Sequence, residues 1–128
     1  MSHKIIIIDD DIDLVEAMRL TLENEGFEVI DAQDGKKGLE KIALEKPDLI
    51  LLDVMMETQD EGFHIAYQIR NNPEMSDLPI IMLTAVGQET GFSFDKDKDE
   101  DFLPVEEFLE KPVNPDLLVE KIRAALGR

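Results

Sequence analysis

Five side chains with complementary chemistry stand at the ends of apolar runs. Asp9 and Asp10 follow Ile5 to Ile8, Asp53 follows Leu49 to Leu52, Thr84 follows Ile80 to Leu83, and Lys111 follows the segment Val105 to Leu109. Three carboxylates gathered at one place repel and cannot all stay ionised cheaply. A hard divalent cation resolves that conflict, and an all-oxygen site that keeps several waters suits Mg²⁺. A lysine adds a compact positive charge and a threonine one hydrogen-bond donor. A carboxylate nucleophile, a metal, an ammonium and a hydroxyl together are what phosphoryl transfer to an aspartate needs. Taken singly, most of these residues have blander uses. An acid after a strand is usually a turn residue or a helix cap, and a lysine before a proline is normally solvated. Asp53 resists that reading, because an apolar run leads directly into it, and five such residues in register are a poor fit to accident.

The register depends on the elements that carry them. None of the three apolar runs alternates with polar residues, so each is expected to be buried on both faces, as central strands of a parallel sheet are. Phe27 to Ile30 contains Glu28, and Val105 to Leu109 contains Glu106 and Glu107, so these two suit partly exposed edges. Helical spacing fills the gaps. Leu14, Met18 and Leu22 precede a stop at Gly26, while Leu39, Ile42 and Ala43 follow a cap at Asp34 and end before Pro47. Gly62 to Asn72 gives a third helix with Ile65, Ala66 and Ile69 inward. Asn114 and Pro115 open a final one that carries Leu118, Ile122 and Leu126. Strand and helix alternate, which predicts an α/β fold with a five-stranded doubly wound parallel sheet. Parallel strands place their carboxyl ends on one side, the edge where open α/β sheets bind ligands. The exception is Val86 to Pro104, which holds Gly87, Gly91 and the acidic run Asp95 to Asp101. It predicts a short or irregular helix inside a lengthened segment between the fourth and fifth strands.

The 128 residues suffice for one domain, 1–128, and not for two ordinary ones. Without cysteine there is neither a disulfide framework nor a thiolate metal site. The longest apolar runs are four residues, far short of a membrane span, and no secretory signal pattern is present. A cytoplasmic protein is expected. The formal net charge of −17 repels phosphate backbones, so direct binding of nucleic acid by this domain is not expected.

With these residues in place, the chain resembles bacterial two-component response-regulator receivers, including the chemotaxis type. The resemblance rests on Asp9 to Asp11 after the first strand, Leu51 to Met56, Leu83-Thr84-Ala85, and Lys111-Pro112. It implies a flavodoxin-like three-layer sandwich with strand order 2-1-3-4-5. It also implies a phospho-acceptor role for Asp53, served by a sensor histidine kinase or a phosphotransfer protein, with Mg²⁺ required. By the same resemblance Asp10, Asp53 and the Met55 carbonyl ligate the metal directly, and Asp9 acts mostly through water. Thr84 and Lys111 would contact the phosphoryl oxygens, and Ala85 would leave access to them. Phe108 falls at the aromatic position that rotates when Thr84 moves. The domain would promote its own phosphorylation and dephosphorylation without being an enzyme in the usual sense. Its signal would reach a downstream target that the sequence does not name, with a homodimer on phosphorylation among the outcomes. A cis bond between Lys111 and Pro112 is implied as well, and the apolar Met55 and Val86 predict a long-lived acyl phosphate. The chain departs from the pattern in the loop Glu57 to Gly62, which lacks the usual proline, and in a long interval from Thr84 to Lys111. No output-domain pattern follows Arg128, so either a free-standing receiver or one cut from a longer regulator is expected.

Two other functions fit less well. Asp95, Asp97, Asp99, Asp101 and Glu106 copy the ligand spacing of a calcium-binding EF-hand loop, but Glu100 stands where glycine makes the turn. Phosphatases of the aspartyl-phosphate type need a second acid two residues after the nucleophile, and that position is Met55.

Overall fold

Four consecutive isoleucines cannot alternate between core and water, and the fold buries all of them. A computed structural model of the chain describes residues 3–53, 61–85, 107–111 and 113–127. Strands β1 (Lys4–Ile8), β2 (Glu28–Ala32), β3 (Leu49–Asp53), β4 (Ile80–Ala85) and β5 (Glu107–Lys111) form one parallel sheet in the order β2-β1-β3-β4-β5. The three apolar runs expected in the interior lie in β1, β3 and β4, and every side chain from Ile5 to Ile8, Leu49 to Leu52 and Ile80 to Leu83 is 0% exposed. Each such side chain contributes on the order of 1.5–3 kcal/mol by leaving water. The strands that carry the acids are therefore firmly anchored in the core. The edge strands β2 and β5 mix buried and exposed positions, as their glutamates predict.

Helices α1 (Ile12–Asn24), α2 (Gly35–Glu45), α3 (Glu61–Arg70) and α4 (Pro115–Ala125) cover both faces. Val15, Met18 and Leu22 of α1 and Leu118 and Ile122 of α4 pack on Ile5, Ile7, Leu49, Leu51, Ile81 and Leu83. Ile42 of α2 and Ile65, Ala66 and Ile69 of α3 pack on Ile6, Ile8, Ile50, Leu52, Ile80 and Met82. The helix ends follow local chemistry. Asp34 accepts from the Lys37 N–H at 2.8 Å, and Asn114 accepts from Asp116 and Leu117 ahead of Pro115. At the end of α1, the Gly26 N–H reaches the Glu23 carbonyl and the Phe27 N–H the Leu22 carbonyl, with Gly26 at φ 92°. That is the paired closure for which a left-handed glycine is suited.

Several boundaries differ from the sequence reading. The strand expected at Phe27 to Ile30 runs from Glu28 to Ala32, because the Ala32 carbonyl still accepts from the Asp9 N–H at 3.1 Å. The helix expected to reach Asn72 stops at Arg70; Pro73 disfavours helix before it, and the Asn72 side chain turns to accept from the Glu74 N–H. Of the three residues that mark α2 in the sequence, Ile42 is buried and Ala43 is exposed. The close contact falls instead at Gly38, where an added Cβ would lie 2.5 Å from Ile8 Cδ1, so α2 sits tightly over the residue that precedes Asp9. The fifth strand begins at Glu107 among the described residues. The irregular helix, the EF-hand-like run, the Met55 carbonyl, Val86 and the Lys111–Pro112 bond all involve residues outside the described ones. Among the described residues no helix is long and apolar enough to cross a membrane.

Candidate functional site

Strand pairing builds the site by register. Ile8 of β1 stands opposite Leu52 of β3, so Asp9 and Asp53 each lie one step beyond a matched pair. Asp53 is in turn opposite Leu83, and Ala85 is opposite Lys111. Side chains alternate along a strand. Ile7, Leu51 and Leu109 face the layer of α1 and α4, so Asp9, Asp53 and Lys111, two residues further on, share that face. Met82 and Phe108 face the layer of α2 and α3, and Thr84 has their parity. The rim thus has two sides, with the charged trio on one and the Thr84–Phe108 pair on the other.

Among the described residues only three polar or charged side chains are buried, and they are Asp9, Asp53 and Thr84. Asp10 is exposed, yet its carboxylate lies with those of Asp9 and Asp53 in a cluster whose oxygens fall within 4.8 Å of one another. Lys111 Nζ sits 3.2 Å from Asp9 Oδ2 and 3.3 Å from Asp53 Oδ1. Asp9 Oδ1 accepts the Asp11 N–H at 2.9 Å, which fixes the carboxyl plane and turns Oδ2 toward the rim. Asp11 in turn caps α1 by accepting the Leu14 N–H at 3.2 Å.

The electrostatics are those of a site short of positive charge. Two like charges about 5 Å apart repel by about 3 kcal/mol at an effective dielectric of about 20. That is a large share of the roughly 5–15 kcal/mol by which a domain is stable. Three carboxylates against one ammonium leave a formal charge of −2. Burial by itself lowers the Lys111 pKa, but the attraction of Asp9 and Asp53 outweighs it and holds the ammonium above its ordinary value. The contact with Asp9 is Coulombic rather than a well-aligned hydrogen bond, and among the described residues Asp9 Oδ2 is the one buried side-chain polar atom left without one. An oxygen-only donor set, a residual charge of −2 and an unsatisfied buried oxygen fit a hard divalent cation.

Of the residues singled out from sequence, Asp9, Asp10, Asp53 and Lys111 come together in space, and Thr84 is the penultimate residue of the adjacent strand, one beyond the partner of Asp53. Phe108 is half-buried against the α2 and α3 layer, beside Met82 in register and two residues ahead of the partner of Thr84. In the sequence Asp11 stands only as part of an acidic run. Its double duty, ordering Asp9 and starting α1, was foreshadowed by its place three residues before Leu14, the spacing of an N-cap.

The description "Response regulator receiver domain" matches residues 5–123, which includes Asp9, Asp10, Asp53, Thr84 and Lys111. The chain is 38% identical over its full length to the alkaline phosphatase synthesis transcriptional regulatory protein PhoP of Bacillus subtilis, covering 50% of it. It is 35% identical over 98% of its length to the DNA-binding dual master transcriptional regulator RpaA of Synechocystis, covering 49% of it. The chain therefore spans about half the length of these curated relatives. Among solved structures, a putative response regulator from Chloroflexus aurantiacus superimposes with a TM-score of 0.86 at 31% identity, covering 100% of both chains. The N-terminal domain of a response regulator receiver protein from Methanoculleus marisnigri gives 0.73 at 31% identity, with 98% of each chain covered. With the sheet order, the buried acids at its carboxyl edge and these matches in agreement, the chain belongs to the receiver domains of two-component response regulators.

Proposed function

We propose that Asp53 is the phospho-acceptor of this receiver, and that residues 1–128 make up the one domain that carries it. The supporting observation is that the described polar residues withdrawn from water are Asp9, Asp53 and Thr84, with Lys111 against both acids. In this reading the Asp53 carboxylate attacks phosphorus of a phosphohistidine on a sensor kinase or phosphotransfer protein. The P–N bond breaks and its electron pair returns to the imidazole, which takes up a proton. Lys111 and Thr84 steady the phosphoryl oxygens, as a point charge and a hydroxyl donor suit. Asp10 and Asp53, with the Met55 carbonyl, would hold Mg²⁺, and Asp9 would act on it mostly through water. The metal supplies charge neutralisation for carboxylates and phosphoryl oxygens alike. Attack by water on phosphorus later releases phosphate and restores Asp53, so the domain promotes its own phosphorylation and dephosphorylation.

The readout follows from the second side of the rim. When the Thr84 hydroxyl swings to the phosphoryl group it vacates space beside Phe108, which turns inward and alters the face around β5. A kinase partner, a cytoplasmic setting and an output downstream of this face complete the reading. PhoP and RpaA are transcriptional regulators by name, so control of transcription is favoured over the chemotaxis type, with which the shared feature is the sheet order. Dimerisation on phosphorylation would then bring two outputs together, and DNA contact would belong to the output and not to this acidic domain. The test is incubation with labelled acetyl phosphate and Mg²⁺, comparing wild type with Asp53→Asn. Wild type should take up label and the variant none, with its fold intact; label retained on folded Asp53→Asn would refute the assignment.

A further inference from the structure

Strand β1 ends at Ile8, so Asp9 and Asp10 lie beyond the sheet, whereas Asp53 is the last residue of β3 and is held by its ladder. Two of the three clustered carboxylates therefore owe their places to the turn between β1 and α1. That turn is tied at both ends. The Asp9 N–H donates to the Ala32 carbonyl at 3.1 Å, which fixes its backbone against β2. At the other end Val15 is buried and Leu14 is half-buried against the core, which fixes the first turn of α1.

Asp11 joins the two ends. Its N–H donates to Asp9 Oδ1 at 2.9 Å, its side chain accepts the Leu14 N–H at 3.2 Å, and its carbonyl accepts the Val15 N–H at 3.0 Å. The first of these bonds closes a turn over Asp10. Asp10 is exposed, and on a free loop its side chain would sweep many directions. The closed turn fixes its backbone, and with it the side from which its carboxylate joins the cluster. Asp9 is 0% exposed, so water cannot replace a lost donor. Without the Asp11 N–H both of its oxygens would lack a hydrogen bond, since Oδ2 lacks one already. Asp11 itself is exposed and is not one of the three clustered acids.

We propose that Asp11 is a positioning residue for the cation site: by capping α1 it holds its own N–H on Asp9, and so sets Asp9 and Asp10 for metal binding. This rests on the reading that Asp9, Asp10 and Asp53 hold Mg²⁺. The role belongs to the cap and not to the negative charge of Asp11. Serine and asparagine cap a helix about as well as aspartate but carry no charge, whereas alanine does neither. Groups one step removed from a metal's ligands typically change its affinity by about 10–100-fold when lost. A carboxylate acting by charge alone would be missed equally in every uncharged variant.

The experiment is an NMR titration of the folded, unphosphorylated receiver with Mg²⁺, for wild type, Asp11→Ser, Asp11→Asn and Asp11→Ala. Asp11→Ser and Asp11→Asn should stay within about three-fold of wild-type affinity, the scale of one exposed charge. Asp11→Ala should bind about ten-fold more weakly. Asp34→Ala serves as the control, because it removes the cap of α2 without touching the turn at Asp9. It should lower the melting temperature to a similar extent as Asp11→Ala and leave Mg²⁺ affinity near that of wild type. In metal-free protein the side-chain carboxyl ¹³C resonance of Asp9 should move in Asp11→Ala and return in Asp11→Ser. Equal losses of affinity in Asp11→Ser and Asp11→Ala would assign the effect to charge and overturn the proposal. So would wild-type affinity in Asp11→Ala, an equal loss in Asp34→Ala, or an Asp9 resonance that ignores the cap. A wild-type protein that binds no Mg²⁺ would instead refute the underlying cation reading, and the proposal with it.

Discussion

Lys4 opens β1 at the amino edge of the sheet and Lys111 closes β5 at the carboxyl edge, and each meets more than one carboxylate. Lys4 Nζ lies 3.1 Å from Glu45 Oε1 and 3.6 Å from Glu28 Oε2, and it donates to the Glu45 carbonyl at 3.2 Å. Its own N–H donates to Asp48 Oδ2 at 2.8 Å, so it ties together β1, β2, the end of α2 and the turn before β3. The two lysine side chains are covered to nearly the same degree, at 23% and 22% exposed, yet their partners differ sharply. Glu28 and Glu45 are 58% and 48% exposed, whereas Asp9 and Asp53 are 0% and 6% exposed. Water can replace Lys4 for its glutamates. It cannot do so for Asp9 and Asp53, whose charge is tolerated only because a cation is near. A lysine among acids is thus no sign of function by itself; the burial of the acids is the sign.

Removal of Lys111 should have the largest effect. Lys111→Met leaves two buried carboxylates uncompensated, and in metal-free buffer it should lower stability by about 2–4 kcal/mol, read as a fall in the urea midpoint. Added Mg²⁺ should recover part of that loss. A variant as stable as wild type without metal would mean that the rim acids are not held by this ammonium.

Titration reaches the same contribution without mutation. The folded pKa of Lys111 is raised, so its stabilising effect is complete below the ordinary lysine value of about 10.4 and is lost as pH climbs through the raised one. The stability gap between wild type and Lys111→Met should therefore stay flat from neutral pH to about 10 and close above it. A gap that closes on the acid side of neutrality would assign the effect to another group.

Asp10→Ala sharpens the comparison from the other direction. Removing the exposed member of the cluster relieves repulsion, so the metal-free fold should gain about 0.5–1 kcal/mol while Mg²⁺ affinity falls. A clear drop in metal-free melting temperature would contradict the crowding of charges at the rim. The smallest change is expected for Lys4→Met, a modest fall in melting temperature that fades in high salt, where exposed charges are screened within a few ångströms. If Lys4→Met proved as damaging as Lys111→Met, burial of the partners would not be what separates the two edges.

How much of this was readable depends on how local each cause is. The interior strands were legible because four successive aliphatic residues have one good environment, a sheet covered on both faces. The caps at Asp34 and Asn114 and the glycine stop at Gly26 were legible because each acts within one turn of its own helix. The ends of β2 and α3 were not. Asp31 and Ala32 extend β2 only because β1 offers a partner, and Arg19 reaches across to both Asp31 and the Val29 carbonyl. Gly38 carries no signal in the sequence, because a glycine inside a helix announces nothing until Ile8 lies against it.

For the site, the sequence alone determined which residues meet at the rim. Parallel strands that end in Asp9, Asp53, Thr84 and Lys111 must bring those ends to one edge, whatever the loops do. Tertiary structure alone decided how they divide the work. It set Asp9, Asp53 and Lys111 on the α1 and α4 side and Thr84 with Phe108 on the other. It sealed Asp9 from water while Asp10, its neighbour in sequence, stayed exposed. It also placed one ammonium between two buried carboxylates. Residue types and order follow from the chain, but solvent exclusion and distance arise only when separate strands and helices pack. Those two quantities turn three ordinary aspartates into a site with charge to spare for a metal.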